Sequence, residues 1–70
     1  MTKEDIQRAI RLLRKQQLMP TDVQDALSLV TASGIRNSEI EIALYFSKNG
    51  NMAAAKLNAG RAADTLSRII

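Results

Sequence analysis

Apolar residues recur at helical spacing in the first part of the chain. The positions i, i+3, i+4 and i+7 are Ile6, Ala9, Ile10 and Leu13, and residues at this spacing share one face of an α-helix. Pro20 disfavours the helical conformation in the residue before it. We therefore predict a first helix that begins at about Thr2 or Lys3 and ends at Gln17.

A second helix is predicted to begin at Thr21, where Gln24 follows three residues later in the position of a capping box. It ends at Ser33 and Gly34, because glycine readily takes the left-handed conformation after a helix C-terminus. Its apolar stripe comprises Val23, Ala26, Leu27 and Val30.

The third predicted helix begins at Asn37 and ends at the turn-forming tripeptide of residues 49–51. One face carries Ile40, Ala43 and Leu44, and a second apolar group carries Ile42, Tyr45 and Phe46. A helix that is apolar most of the way round is buried on several sides, within the monomer or across an interface.

The last segment, residues 52–70, fits two structures. As one helix it has a complete seam at alternating spacings of three and four, formed by Met52, Ala55, Ala59, Ala62, Leu66 and Ile69. As two helices it divides near residues 58–60. A glycine inside a helix costs on the order of 1 kcal/mol relative to alanine, so Gly60 does not decide between them.

These segments predict an all-α fold: a compact bundle of four to five short helices, with a possible C-terminal helix-turn-helix. We find no repeat and no linker, so residues 1–70 are expected to form a single helical domain. A core this small makes an isolated monomer marginal, and oligomerisation is a usual remedy. We therefore expect a homodimer.

The composition argues against an enzyme. The chain has no His, Cys or Trp, which excludes disulfides, the usual zinc sites and thiol or imidazole catalysis. Its paired acids lie in the first turns of predicted helices, where they compensate the helix dipole, and there is no glycine-rich phosphate loop. We predict no catalytic residue, no cofactor and no metal.

The net charge is +3, and all of the excess lies late in the chain. From residue 48 onward there are four basic residues and one acidic residue, namely Lys48, Lys56, Arg61 and Arg68 against Asp64. This bias favours an anionic partner. The longest apolar run, residues 42–46, is far too short to cross a bilayer, so we expect no membrane contact and a cytoplasmic protein.

Read as two helices, the last segment has the plan of a helix-turn-helix, with small residues where the helices meet and a turn at Ala59 and Gly60. Arg61, Thr65 and Arg68 would then face outward, with Lys56 and Asn58 near phosphates. Arginine reads guanine or grips phosphate, and threonine contacts a thymine methyl group or a phosphate.

Residues 50–70 resemble the C-terminal DNA-binding segment of the Fis family. The matching positions are Gly50, Asn51, Ala55, Gly60, Thr65, Leu66 and Arg68. The resemblance implies a helical homodimer in which Thr65 and Arg68 lie on the recognition helix and contact DNA. Our leading hypothesis is accordingly a small dimeric regulator of transcription that binds double-stranded DNA.

The same residues fit a different function. An alanine-rich seam lets two helices approach closely, so residues 52–69 could pair with another helix while the arginines serve only as solvated flanks. The alternative hypothesis is a helical adaptor or inhibitor that binds a protein, for example a transcription factor, without touching nucleic acid. It is based on the broad apolar surface of residues 40–46 and on Leu12, Leu18 and Met19, which belong to no helical stripe. The predicted protein interface comprises Ile42, Tyr45, Phe46, Leu66 and Ile69.

Overall fold

The structure is a computed structural model that describes residues 3–70. It contains four helices and no strand within that range: α1 (Lys3–Leu13), α2 (Pro20–Ala32), α3 (Ser38–Lys48) and α4 (Met52–Ile69). The predicted all-α bundle of short helices is confirmed. Thr2, the earlier of the two predicted starts of the first helix, lies outside the described residues.

Helix α1 ends four residues before the predicted boundary at Gln17. The amides of Arg14 and Lys15 still bond back to Ile10 and Leu12, at 3.1 and 3.4 Å, and the chain then leaves the helix. Leu18 is buried in the core, which brings the connection back toward α2. The burial of Leu18, which lies outside the apolar stripe of α1, thus explains why α1 ends earlier than predicted.

Helix α2 begins at Pro20 and is capped differently from the predicted Thr21–Gln24 box. The Asp22 carboxylate accepts a hydrogen bond from the Met19 amide at 3.0 Å and binds the Lys15 ammonium at 3.1 Å. Proline suits the first helical position because its missing N–H would have no partner there. Asp22 therefore fixes both the start of α2 and the connection that precedes it.

Helices α2 and α3 both end in the same glycine motif. Gly34 and Gly50 have φ angles of +77° and +80°, and the residue after each glycine donates its amide to a carbonyl five residues earlier, at 3.1 and 2.9 Å. This is the Schellman arrangement, which favours glycine because other residues are strained at positive φ. The predicted end of α2 at Gly34 is confirmed.

Each helix packs on two others: α1 and α3 each lie against both α2 and α4. The core is built from the predicted stripes, although Leu27 and Leu44 are only partly buried at its edge. Its fully or nearly fully buried apolar residues are Ile6, Ala9, Ile10, Leu13, Leu18, Val23, Ala26, Val30, Ile40, Ala43, Ala59, Ala62, Ala63 and Leu66.

Helix α4 runs unbroken past Gly60, so the turn that the two-helix interpretation placed there is wrong for this structure. Ala55, Ala59, Ala62, Ala63 and Leu66 form one stripe that is completely buried, and dividing the helix would break that stripe. Burial of about 0.8 kcal/mol per methylene-sized group outweighs the glycine penalty of on the order of 1 kcal/mol.

Candidate functional site

Helix α4 carries all five residues predicted to bind nucleic acid, but it does not bring them together. Successive helical residues are rotated by about 100°, which places Arg61, Thr65 and Arg68 within about 60° of one another on the outer face. Lys56 lies about 140° from Arg61 by the same rule. Asn58 is half-buried, whereas the other four are exposed.

The side chains of three of these five residues have hydrogen-bond partners within the protein, and Lys56 and Asn58 are the first two. The Lys56 ammonium donates to the Gln16 carbonyl at 2.8 Å, which ties the α1–α2 connection to α4. The Asn58 amide donates to the Ala54 carbonyl at 2.9 Å within the same helix. Both side chains therefore have a hydrogen-bond acceptor within the protein and do not need a DNA phosphate as a partner.

Thr65 marks the contact between α3 and α4. Its hydroxyl lies 3.0 Å from a Glu39 carboxylate oxygen and 3.0 Å from the Arg61 carbonyl, and it can donate to either. Glu39 is in the first turn of α3 and Thr65 is near the end of α4, so the two helices run antiparallel. A carboxylate therefore stands beside one of the predicted DNA contacts.

Asp64, the acidic residue on the outer face of α4, forms its ion pair with a residue of another segment and not with the arginines of its own helix. Asp64 could bind Arg61 or Arg68 on its own helix, yet its carboxylate lies 3.0 Å from the Arg14 guanidinium at the end of α1. Within residues 3–70, no ion pair neutralises Arg61 or Arg68. Their charges remain available on the surface.

The apolar residues expected at a protein interface separate into two groups. Ile42, Tyr45 and Ile69 are exposed, with 43%, 65% and 56% of their surface accessible, and Phe46 is half-buried. Leu66 is fully buried in the monomer, so its assignment to an interface is wrong. It lies on the inner stripe of α4 with Ala59 and Ala62, where α1 and α3 already cover it.

Helix α3 exposes an ordered apolar face. The Tyr45 and Phe46 rings meet edge to face, with centroids 5.7 Å apart and planes at 69°, an arrangement that aromatic pairs prefer. Ile42 lies one turn before Phe46. Phe46 is half-buried, and its contact with the more exposed Tyr45 ring restricts the position of that ring.

Sequence reasoning missed the full extent of this face. Ser38, Ile42, Tyr45 and Asn49 follow one another at spacings of four, three and four, and all four are exposed. We call these four residues the α3 seam. The spacing is visible in the sequence, but Ser38 and Asn49 are polar and do not extend an apolar stripe. Their place on this face becomes clear only when the structure shows which face of α3 is exposed.

Two surface clefts lie on α2 and the helices beside it. One, of about 470 Å³, lies where α2 meets α3 and is lined by Leu27, Thr31, Gly34, Ile35, Arg36, Asn37 and Glu41. The other, of about 420 Å³, lies between α1 and α2. Among residues 3–70, no group of acidic side chains is placed to hold a metal ion.

Comparisons with known proteins identify no relative. No family model matches the chain, and neither the curated proteins nor the solved structures contain a significant match. In the part of the chain that the structure describes, no helix combines the length and apolar character needed to cross a membrane. The resemblance of residues 50–70 to the Fis family therefore stays a prediction.

Proposed function

We propose that this protein is a small protein-binding module that acts through the α3 seam. The observation that carries the proposal is the exposure of Tyr45 and Ile42 on α3 while Ile40, on the opposite face of the same helix, is fully buried. Tyrosine is enriched at the centres of protein interfaces, where its ring adds a large contact area at little entropic cost.

Covering the exposed apolar side chains of α3 would lower the free energy of the protein. Burying a large aliphatic or aromatic side chain contributes about 1.5–3 kcal/mol, and the fold leaves part of this contribution unused because 65% of Tyr45 and 43% of Ile42 are exposed. Single exposed apolar residues are common on protein surfaces. Two such residues on adjacent turns, supported by Phe46, form a continuous patch instead.

Photo-crosslinking in cells that produce the protein tests this function. Tyr45 is replaced with a photoreactive phenylalanine analogue, and Gln24, an exposed polar residue on α2, carries the same analogue as the matched control. We expect crosslinks to protein from position 45 and few from position 24. The Ile42→Asp substitution should abolish those from position 45.

Equal crosslinking from both positions, or none from position 45, would overturn the proposal. Crosslinks that survive Ile42→Asp would also count against it, because a charge in the centre of an apolar contact is costly to bury. Circular dichroism of Ile42→Asp checks that the variant folds, as expected for a side chain that is 43% exposed.

Duplex DNA binding by the outer face of α4 is the second candidate. It is favoured by the pairing of Asp64 with Arg14, which leaves Arg61 and Arg68 without an ion-pair partner among residues 3–70. An unbroken helix can enter the major groove, although the turn on which the helix-turn-helix interpretation rested is not formed. We rank this candidate second because only two free arginines share the face.

A titration of duplex DNA at two salt concentrations tests it. Two phosphate contacts predict a slope of about −2 for the logarithm of affinity against the logarithm of salt concentration. Binding with this slope that is lost in Arg61→Ala and Arg68→Ala would support the candidate. No binding at low salt, or binding that is unaffected by both substitutions, would refute it.

A further inference from the structure

We propose that the α3 seam binds the α3 seam of a second copy of this chain, with the two helices antiparallel. This inference rests on the proposed function and names the partner. Its first basis is spacing: Ser38, Ile42, Tyr45 and Asn49 alternate by four and three, which is the pattern of a coiled-coil seam. Helix α3 has 11 residues, so the contact spans about three turns.

The charges beside the seam fix the orientation. Glu41 and Lys48 are exposed and lie seven residues apart on one flank. In an antiparallel pair with the two-fold axis between Ile42 and Tyr45, like flanks face each other, so Glu41 of one copy lies near Lys48 of the second copy. The two-fold symmetry repeats this pair, giving two complementary contacts.

A parallel pair would lose this complementarity. The Glu41/Lys48 flank of each copy would then face the opposite flank, which carries Glu39 and Phe46. That flank is also the one nearer to α4, because the Glu39 carboxylate lies 3.0 Å from the Thr65 hydroxyl. Flanking charges set orientation in helix pairs, so the antiparallel arrangement is favoured.

The α3 seam is complementary to itself, and this is why we propose a second copy of the chain as its partner. A two-fold interface uses the same patch on both partners, so every group must find its complement on that patch. The seam meets this requirement: Ile42 faces Tyr45, Ser38 faces Asn49, and Glu41 faces Lys48. Three helical turns form a small interface, below the size of stable complexes, so we expect a micromolar dimer.

Charge exchange tests the inference by analytical ultracentrifugation over a range of protein concentrations at low salt. Glu41→Lys or Lys48→Glu alone places like charges opposite each other twice per dimer, and we expect about tenfold weaker association. The double variant Glu41→Lys/Lys48→Glu should restore it. Both single changes oppose the helix dipole, so recovery in the double variant cannot come from a more stable α3.

Disulfide crosslinking tests the orientation of the two α3 helices. Because the chain has no native cysteine, any disulfide must form between the introduced residues. Ser38→Cys and Asn49→Cys are prepared separately and then mixed under mild oxidation. An antiparallel pair forms the mixed disulfide. Identical positions lie about 16 Å apart, beyond the reach of a disulfide, so neither variant alone should crosslink efficiently.

The outcomes separate this inference from the proposed function. A monomer at every concentration, with Tyr45 crosslinks to a different protein, would overturn self-association and leave the protein-binding module intact. Failure of the double variant to restore association, or preferential crosslinking of identical positions, would overturn the antiparallel pair. A monomer with no crosslink from position 45 would overturn both.

Discussion

Replacing Gly60 with alanine is expected to stabilise the protein by about 1 kcal/mol, the difference in helix propensity between the two residues. Gly60 lies in the interior of α4 and does not have a positive φ angle. A methyl group added there would meet no atom within 4 Å. No steric contact with residues 3–70 therefore opposes the gain from restricting the unfolded chain.

The other two glycines provide a matched control. Added methyl groups at Gly34 and Gly50 would also meet no atom within 4 Å, so steric contact is equal at all three sites. Only the backbone differs, because φ is +77° at Gly34 and +80° at Gly50. Alanine in the left-handed region costs about 1–2 kcal/mol, so Gly34→Ala and Gly50→Ala should destabilise the protein.

Thermal unfolding followed by circular dichroism at 222 nm measures these differences. For a domain of this size, 1 kcal/mol shifts Tm by about 4–8 °C, upward for Gly60→Ala and downward for the other two. Scans at low protein concentration separate the change in the free energy of unfolding from any change in association.

A fall in Tm for Gly60→Ala would refute this reasoning. It would mean that Gly60 adopts a left-handed conformation, as at the end of a helix, and would restore the division of residues 52–70 into two helices. The same experiment therefore tests the continuity of α4.

Four further substitutions test the cap of α3, the packing of α4 and a surface ion pair. Asn37→Ala should lower stability by about 1–2 kcal/mol, because a buried side chain caps α3 through a 3.1 Å bond from the Ile40 amide; urea unfolding measures the loss. Leu66→Ala should cost about 2–5 kcal/mol and Ile69→Ala less than about 0.5 kcal/mol, because only Leu66 is buried; equal losses would contradict the assigned faces. Asp64→Ala should cost at most about 1 kcal/mol, since its ion pair is exposed; a larger loss in the same urea experiment would contradict a peripheral role.

The helices and their inner faces were predictable because helical periodicity is a local property of the sequence. Ile6, Ala9, Ile10 and Leu13 lie at the correct spacing, and all four are buried. The boundary of α1 was not predictable in the same way. It depends on Leu18, whose burial requires the other helices to be in place.

The candidate site was only partly predictable because the local sequence pattern does not determine which of several apolar helix faces is buried in the core. Leu66 and Ile69 belong to one sequence seam, yet Leu66 is fully buried and Ile69 is 56% exposed. Which residue faces inward depends on the angle at which α4 crosses its neighbours, and that angle is not a local property. Asp64 shows the same effect, because its Arg14 partner is 50 residues away in the sequence.

Helix α3 departs furthest from the sequence pattern, because it buries a serine and exposes a tyrosine. Ser47 is only 5% exposed, and its hydroxyl is satisfied by the Leu44 carbonyl at 2.8 Å. Ser47 lies on the buried face with Ile40 and Ala43, where small side chains allow neighbouring helices to approach closely. Ile42 and Tyr45, which are excluded from this face, lie on the α3 seam with 43% and 65% of their surface exposed. This inversion, in which a small polar residue is buried while an isoleucine and a tyrosine are exposed, is the physical basis of our proposal that α3 binds a partner.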